Sequence, residues 1–195
     1  MAVLSPSLHG LDSLLKICGD YCTEWDICLN AKKSKSLYFG KRVEISHSVT
    51  LNGNAVDWVD EWKYLGVTLK SSKTFDCSIK EQVKKFYRCA NAILRIDGRS
   101  NDTVMLRLVE AHCVPIITYA IEVIQVSNRD ERRQLRVAYN SLFRRIFNYR
   151  WSESVSALQT FLGRPTWEQL VEKRRQTFVR RVLKADSSTL SYILL

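Results

Sequence analysis

Long apolar runs are missing from this 195-residue chain. The longest uncharged apolar stretch, near Ala111 to Ile121, has 11 residues; a membrane-spanning helix needs about 20. The N-terminus has no basic region followed by an apolar core, so no secretory signal is read. The expected setting is intracellular, nucleus or cytoplasm, with no membrane partner. Low-complexity tracts and short-period repeats are also missing. None of the six cysteines makes a C-x-x-C pair, and only His9, His47 and His112 stand by to help them. Tetrahedral zinc sites usually draw ligands from tight pairs, so no metal site is expected. Without a secretory signal, disulfides are not expected either. There is no Gly-rich phosphate loop, no Ser-His-Asp order and no nucleophile elbow. Asp12 and Asp20 are helix-surface residues by periodicity, and Asp57, Asp60 and Glu61 fall in a loop. They make no carboxylate pair of the kind that two-metal phosphoryl transfer requires.

What is present reads as ordinary globular protein. The hydrophobic share is 46% and the charged share 26%, enough for one or two small domains with a core. The net charge of +10 is unevenly placed. Residues 1–76 hold nine Lys/Arg and nine Asp/Glu, whereas residues 77–195 hold 21 against 11. A basic half joined to a neutral half points to a polyanion on one side and scaffold on the other. Arg dominates the basic half and suits phosphate forks. Solubilising surface charge is the plainer alternative.

Along the chain, Met1 to Leu4 looks like a strand. Ser7 caps a helix with Leu8, Leu11, Leu15, Cys18, Cys22 and Trp25 on one face. Ile27 to Leu29 and Ser36 to Phe39 look like short strands about a basic turn. Val49-Thr50-Leu51 followed by Asn52-Gly53 predicts a hairpin with a type I′ turn. Trp62 to Leu69 reads as one strand, with Gly66 marking a bulge or a close backbone approach. After Phe75 the pattern is helical. Ile79, Val83, Phe86, Tyr87, Ala90 and Leu94 share a face, and Lys80, Lys84, Arg88 and Arg95 another. Asp97-Gly98 and Ser100-Asn101-Asp102 form a break and a cap. A helix from about Thr103 to Val126 is expected to bend at Pro115. Asn128 or Ser127 caps the next, to about Asn148, with Arg129, Arg132, Arg133, Arg136 and Arg144 off its apolar face. Ser152 to Leu162 is a short helix stopped by Gly163, and Thr166 caps a last one through Lys184. The fold class is α+β, with an all-helical basic part after the mixed one.

Three segments in order carry a resemblance. They are the start at Met1 to Leu4 with its helix, then Leu29-Asn30-Ala31-Lys32-Lys33-Ser34, then Trp62-Lys63-Tyr64-Leu65-Gly66-Val67-Thr68-Leu69. Together they resemble the second half of the palm in LINE-type (non-LTR, Jockey-like) retrotransposon reverse transcriptases. The resemblance implies the C-terminal part of a palm with a primer-grip-like hairpin (1–75), a helical thumb-like domain (76–150) and a post-thumb helical segment (151–195). It implies that Lys33 approaches the leaving pyrophosphate, where a cation offsets developing negative charge. Alone, Lys32 to Lys35 would be a solvated basic turn. It implies that Trp62, Lys63, Tyr64 and Gly66 grip the primer end, Gly66 admitting a backbone and the aromatics offering flat faces. A packed core strand is the alternative. Lys80, Lys84 and Arg88, at i, i+4 and i+8, would follow one phosphate strand, and Arg129, Arg132, Arg133 and Arg136 would add phosphate contacts. Arg150-Trp151-Ser152-Glu153-Ser154 and Gly163-Arg164-Pro165-Thr166-Trp167 also resemble family segments, with their aromatics expected to pack. The family's aromatic-Ala-Asp-Asp turn, which holds catalytic Mg²⁺, is absent, as are the earlier palm aspartate, the fingers, any endonuclease domain and a Cys/His knuckle.

The expected function is therefore a C-terminal fragment of an RNA-directed DNA polymerase, inactive alone and without a cofactor of its own. Its partners would be an RNA template, a DNA primer and the missing N-terminal part of the polymerase. The alternative is a non-enzymatic basic helical module that binds nucleic acid.

Overall fold

Ser7 starts the first helix by accepting the Gly10 N–H at 3.1 Å on its side-chain oxygen, which satisfies one of the donors every helix start leaves open. The computed structural model describes residues 1–41, 47–95, 101–124, 126 and 128–184. Two units divide the chain, Met1–Asp76 and Cys77–Leu195. The architecture is mixed α+β, with small antiparallel strand pairs and several helices.

In the first unit, α1 (Leu8–Glu24) lays Leu11 and Leu15 against a small core of Val49, Leu51 and Val56. Cys22 is buried, whereas Leu8 and Trp25, at the two ends of the same face, are exposed. The periodicity holds in the middle turns and fails where the helix stops. β1 (Val49–Leu51) and β2 (Asn54–Val56) form the expected hairpin, Val49 opposite Val56. Asn52 and Gly53 sit at φ 49° and 74°, the pair of positive values a type I′ turn needs. Gly19 of α1 is buried against that turn, and a Cβ there would collide with the Asn52 side chain.

Trp62 to Leu69 is not one strand. It divides into β3 (Glu61–Tyr64) and β4 (Val67–Lys70), antiparallel, with Tyr64 opposite Val67. Leu65 and Gly66 turn the chain at φ 46° and 83°. Gly66 is thus a turn residue rather than a bulge. Met1 to Leu4 and Ile27 to Leu29 carry no strand, and Ser36 to Phe39 reduces to one bridge from Ser36 to Trp58. A short strand needs a partner to satisfy its backbone, and these segments lack a ladder to join. β5 (Asp76–Ser78) ends the strand-bearing part.

The second unit is built from α2 (Lys80–Arg95), α3 (Asp102–His112), α4 (Val114–Ile117), α5 (Arg129–Ile146), α6 (Ser156–Phe161) and α7 (Trp167–Lys184). Phe86, Val109, Cys113, Ile117, Ala138, Leu142 and Phe143 are fully buried in it. The helix expected through Val126 stops early. Pro115 has no N–H to donate to the carbonyl four residues earlier, which interrupts the helical ladder; α3 ends at His112 and α4, with Pro115 in its first turn, lasts four residues. Ala120, at φ 56°, then turns the chain out of helical geometry. Asn128 caps α5 through the Asp130 and Glu131 N–H groups at 2.8 and 3.3 Å. Gly163 follows α6 at φ 64°. Thr166 and Gln169 exchange side-chain and backbone bonds of 3.3 and 2.9 Å, a capping box that opens α7. The Asp97-Gly98 break, the Ser100 and Ser127 caps and everything after Lys184 lie outside the described residues.

Candidate nucleic-acid interface

In the first unit the structure gathers residues that are far apart in sequence. Lys33, Trp62 and Tyr64 line one cavity of about 510 Å³, together with Met1 to Leu4, Asn30 and Ser34. The local pattern Asn30 to Ser34 has a structural cause. Asn30 accepts the Lys33 N–H at 3.0 Å on its side chain, and the Ser34 hydroxyl donates to the Asn30 carbonyl at 2.9 Å. These bonds close a 3₁₀ turn over Ala31–Lys33 and leave the Lys33 side chain exposed. Lys35 carries the electrostatics deeper. It pairs with Asp57 at 2.5 Å and stands 6.0 Å from the centre of the Trp62 ring. Trp62 and Tyr64 are half-buried, and Lys63 between them is exposed on the other side of the strand. Lys63 and Gly66 are not among the residues lining the cavity.

In the second unit, Lys80, Lys84 and Arg88 form an exposed stripe on α2. Lys84 also reaches Glu81 at 3.0 Å, an exposed pair that contributes little. Arg129, Arg132, Arg133 and Arg136 of α5 line a groove of about 910 Å³ that α7 closes from the other side. Its floor is apolar, with Ile121, Ile124, Leu135 and Trp167. Arg136 approaches Glu168 at 3.6 Å. The α2 stripe is not part of this groove.

Other arginines serve the fold. Arg144 donates to the Glu153 carbonyl at 3.2 and 2.9 Å and stacks 5.2 Å from the centre of the Trp151 ring. Trp151 is thus exposed under a guanidinium rather than packed inside. Trp167 is buried as expected. Arg164 pairs with Glu110 at 2.6 Å, and Arg174 with Glu122 at 3.1 Å.

Two residues escaped the reading of the sequence. Arg175 joins the groove from α7; its place in a run of basic residues on a helix gave no sign of which neighbour it would face. Glu131 is buried and accepts the Ile79 N–H at 3.3 Å, at the start of α2. A carboxylate between two arginine-rich turns reads as surface until α2 is docked. All six cysteines are free thiols. Among the described residues no group of three or more His, Cys, Asp or Glu could hold a metal ion, and no helix is long and apolar enough to cross a membrane.

Exposed cationic stripes and an arginine-lined groove thus sit on an α+β frame. The RNA-directed DNA polymerase from mobile element jockey of Drosophila funebris is 24% identical over 144 residues, 72% of this chain and 16% of that protein. The probable RNA-directed DNA polymerase from transposon BS of Drosophila melanogaster is 22% identical over 184 residues, 92% of this chain and 20% of that protein. The jockey polymerase of Drosophila melanogaster is 22% identical over 176 residues, 89% and 19% of the two chains. The chain is thus distantly homologous to RNA-directed DNA polymerases of jockey- and BS-type mobile elements, and spans a fifth or less of their length. No family model and no solved structure matches.

Proposed function

We infer that this chain is the template–primer-gripping part of a non-LTR retrotransposon RNA-directed DNA polymerase and does not polymerise by itself. One observation carries the reading: the similarity to such polymerases runs over 92% of the chain, so it takes in both units. The residues support a binding role. The first unit offers a cavity with a cation, Lys33, and two half-buried aromatics at its wall. The second offers the α2 stripe and the α5 arginines as phosphate contacts, which give affinity without reading sequence.

Mg²⁺ of the family's chemistry does not fit the described residues, which hold no cluster of acidic ligands. Asp57 is engaged by Lys35, a residue of the cavity wall. In this reading the catalytic carboxylates belong to another polypeptide segment, which is the chain's partner. Here the chain's own part is to hold the duplex, present aromatic faces and place Lys33 where negative charge would develop. The test is binding of an RNA template annealed to a DNA primer with a template overhang, beside primer extension in Mg²⁺. Tight, salt-sensitive binding without extension is expected. Extension by the purified chain that disappears with a Lys33→Ala substitution would overturn the claim of inactivity, and absence of binding would overturn the reading itself.

A non-enzymatic basic binding module is the second reading. It is favoured by the second unit, which holds its own core and all of the net positive charge.

A further inference from the structure

The groove between α5 and α7 combines two properties that a duplex cannot use together. Arg129, Arg132, Arg133 and Arg175 are exposed on its rim and make no ion pair or hydrogen bond through their side chains among the described residues. Four free guanidinium groups at one groove call for several phosphates. Beneath them the floor is apolar, and half-buried Val171 is its most accessible apolar wall. A duplex turns phosphates outward and keeps its base faces stacked, so it would seal the floor without touching it. At about 910 Å³ the groove is of ligand size, too small a volume to enclose a turn of duplex. An unpaired strand presents both chemistries, phosphates at the rim and base faces on the floor, and stacking or apolar contact holds bases without regard to sequence.

Three carboxylates line the same groove: Glu168, which Arg136 approaches at 3.6 Å, and Asp130 and Glu172. They repel phosphates and the side chains of an acidic peptide, but they accept hydrogen bonds from the amino and ring N–H groups of bases. We propose that this groove holds an unpaired stretch of nucleic acid, one to three nucleotides long, with bases inward and phosphates on Arg129, Arg132, Arg133 and Arg175. The proposal rests on the nucleic-acid reading above and refines it: paired regions fall to Lys80, Lys84 and Arg88, and an overhang falls to the groove.

The experiment measures affinity of the full chain, by fluorescence anisotropy, for a 12-nucleotide single strand and for the same sequence as a blunt duplex (both lengths chosen to exceed the groove). Val171→Trp fills the groove. It is expected to weaken single-strand binding about tenfold or more and to leave duplex binding within about twofold. If far-UV circular dichroism shows that this variant does not fold, Val171→Ser, which wets the floor without blocking it, should give a smaller loss in the same direction. Lys84→Glu with Arg88→Glu should do the reverse, weakening the duplex more. Equal loss for both probes with the groove variant, or no loss, overturns the proposal. So does poly-glutamate that displaces the single strand as well as a competing oligonucleotide does. Duplex binding without single-strand binding by the unaltered chain overturns the groove proposal alone; failure to bind either probe overturns the nucleic-acid reading as well.

Discussion

Tyr139 shows how much one buried polar group fixes. Its ring lies edge-on to Phe143, centroids 5.3 Å apart, and 5.8 Å from Trp167. Its hydroxyl donates to the Pro165 carbonyl at 2.9 Å, tying α5 to the turn before α7. Burial, and then the charge of Glu110, push the phenol up to about 12, with Arg164 acting the other way. The unfolded chain loses this proton near its ordinary value of 10.0 and the folded chain does not, so between the two values the unfolded state binds fewer protons. Stability is therefore full below pH 10 and declines as pH rises toward 12. Cys113, whose thiol is pushed from 9.0 to about 12 by burial and by the hydrogen bond with Cys89, adds a decline of the same sign that begins one unit lower. Tyr139→Phe should cost about 1 kcal/mol at neutral pH and flatten the alkaline decline above pH 10, leaving the cysteine part. Urea unfolding at a series of pH values measures both; an equally steep decline in the variant would remove Tyr139 as its source. Gly66 poses a sharper residue question. At φ 83° a side chain is strained, so Gly66→Ala should cost about 1 kcal/mol of stability even without ligand. Lost nucleic-acid affinity with unchanged stability would instead mean that a backbone approaches there.

At the level of elements, what depends on neighbours in sequence was legible. The Ser7 cap, the Asn52-Gly53 hairpin, the Thr166 cap and the stop at Gly163 all follow from side chains within four residues of the event. Two misreadings have one cause. Aromatic and β-branched residues on both sides of Leu65-Gly66 masked a two-residue turn, because a leucine in left-handed geometry is no turn signal. Likewise Ala120 at φ 56° gives no warning that a helical pattern ends. The basic stripes of α2 and α5 were legible as stripes. Their assembly was not: the groove needs α7 to bring Trp167, Val171 and Arg175 against α5, and the cavity needs Lys33 beside Trp62. Glu131 belongs here too, since it caps α2 from α5, a negative charge at the positive end of a helix dipole. Glu131→Ala should destabilise the second unit by about 2 kcal/mol, by stranding a buried N–H. Glu131→Gln, which keeps an acceptor, should cost less. Hydrogen exchange of the first amides of α2 is the direct readout: they should lose protection before those of α5. Uniform loss across both helices would mean that Glu131 acts by packing alone.

For the whole molecule the decisive property is where the charge lies. All of the net +10 belongs to residues 77–195, and in the described part it is concentrated on exposed faces of α2, α5 and α7. Surface charge kept only for solubility would tolerate carboxylates beside it, as Arg136 tolerates Glu168. Although Asp130 and Glu172 share their groove, Arg129, Arg132 and Arg133 make no ion pair among the described residues. They can therefore neutralise phosphates without first breaking a bond, and each contact releases a counterion. The logarithm of affinity for a primer–template with an overhang should fall linearly with the logarithm of salt concentration, by about 0.9 per duplex phosphate and about 0.7 per single-strand phosphate. Replacing Arg129, Arg132 and Arg133 together by Ala should lower the slope by about 2 to 3 and weaken binding alike for unrelated sequences. Because these side chains are exposed and unpartnered, the melting curve should move little. An unchanged slope with an unchanged melting curve would make the arginines solvated surface, and the polyanion would then have to bind through Lys80, Lys84 and Arg88. A smaller slope with intact folding identifies α5 as the place where the phosphates sit.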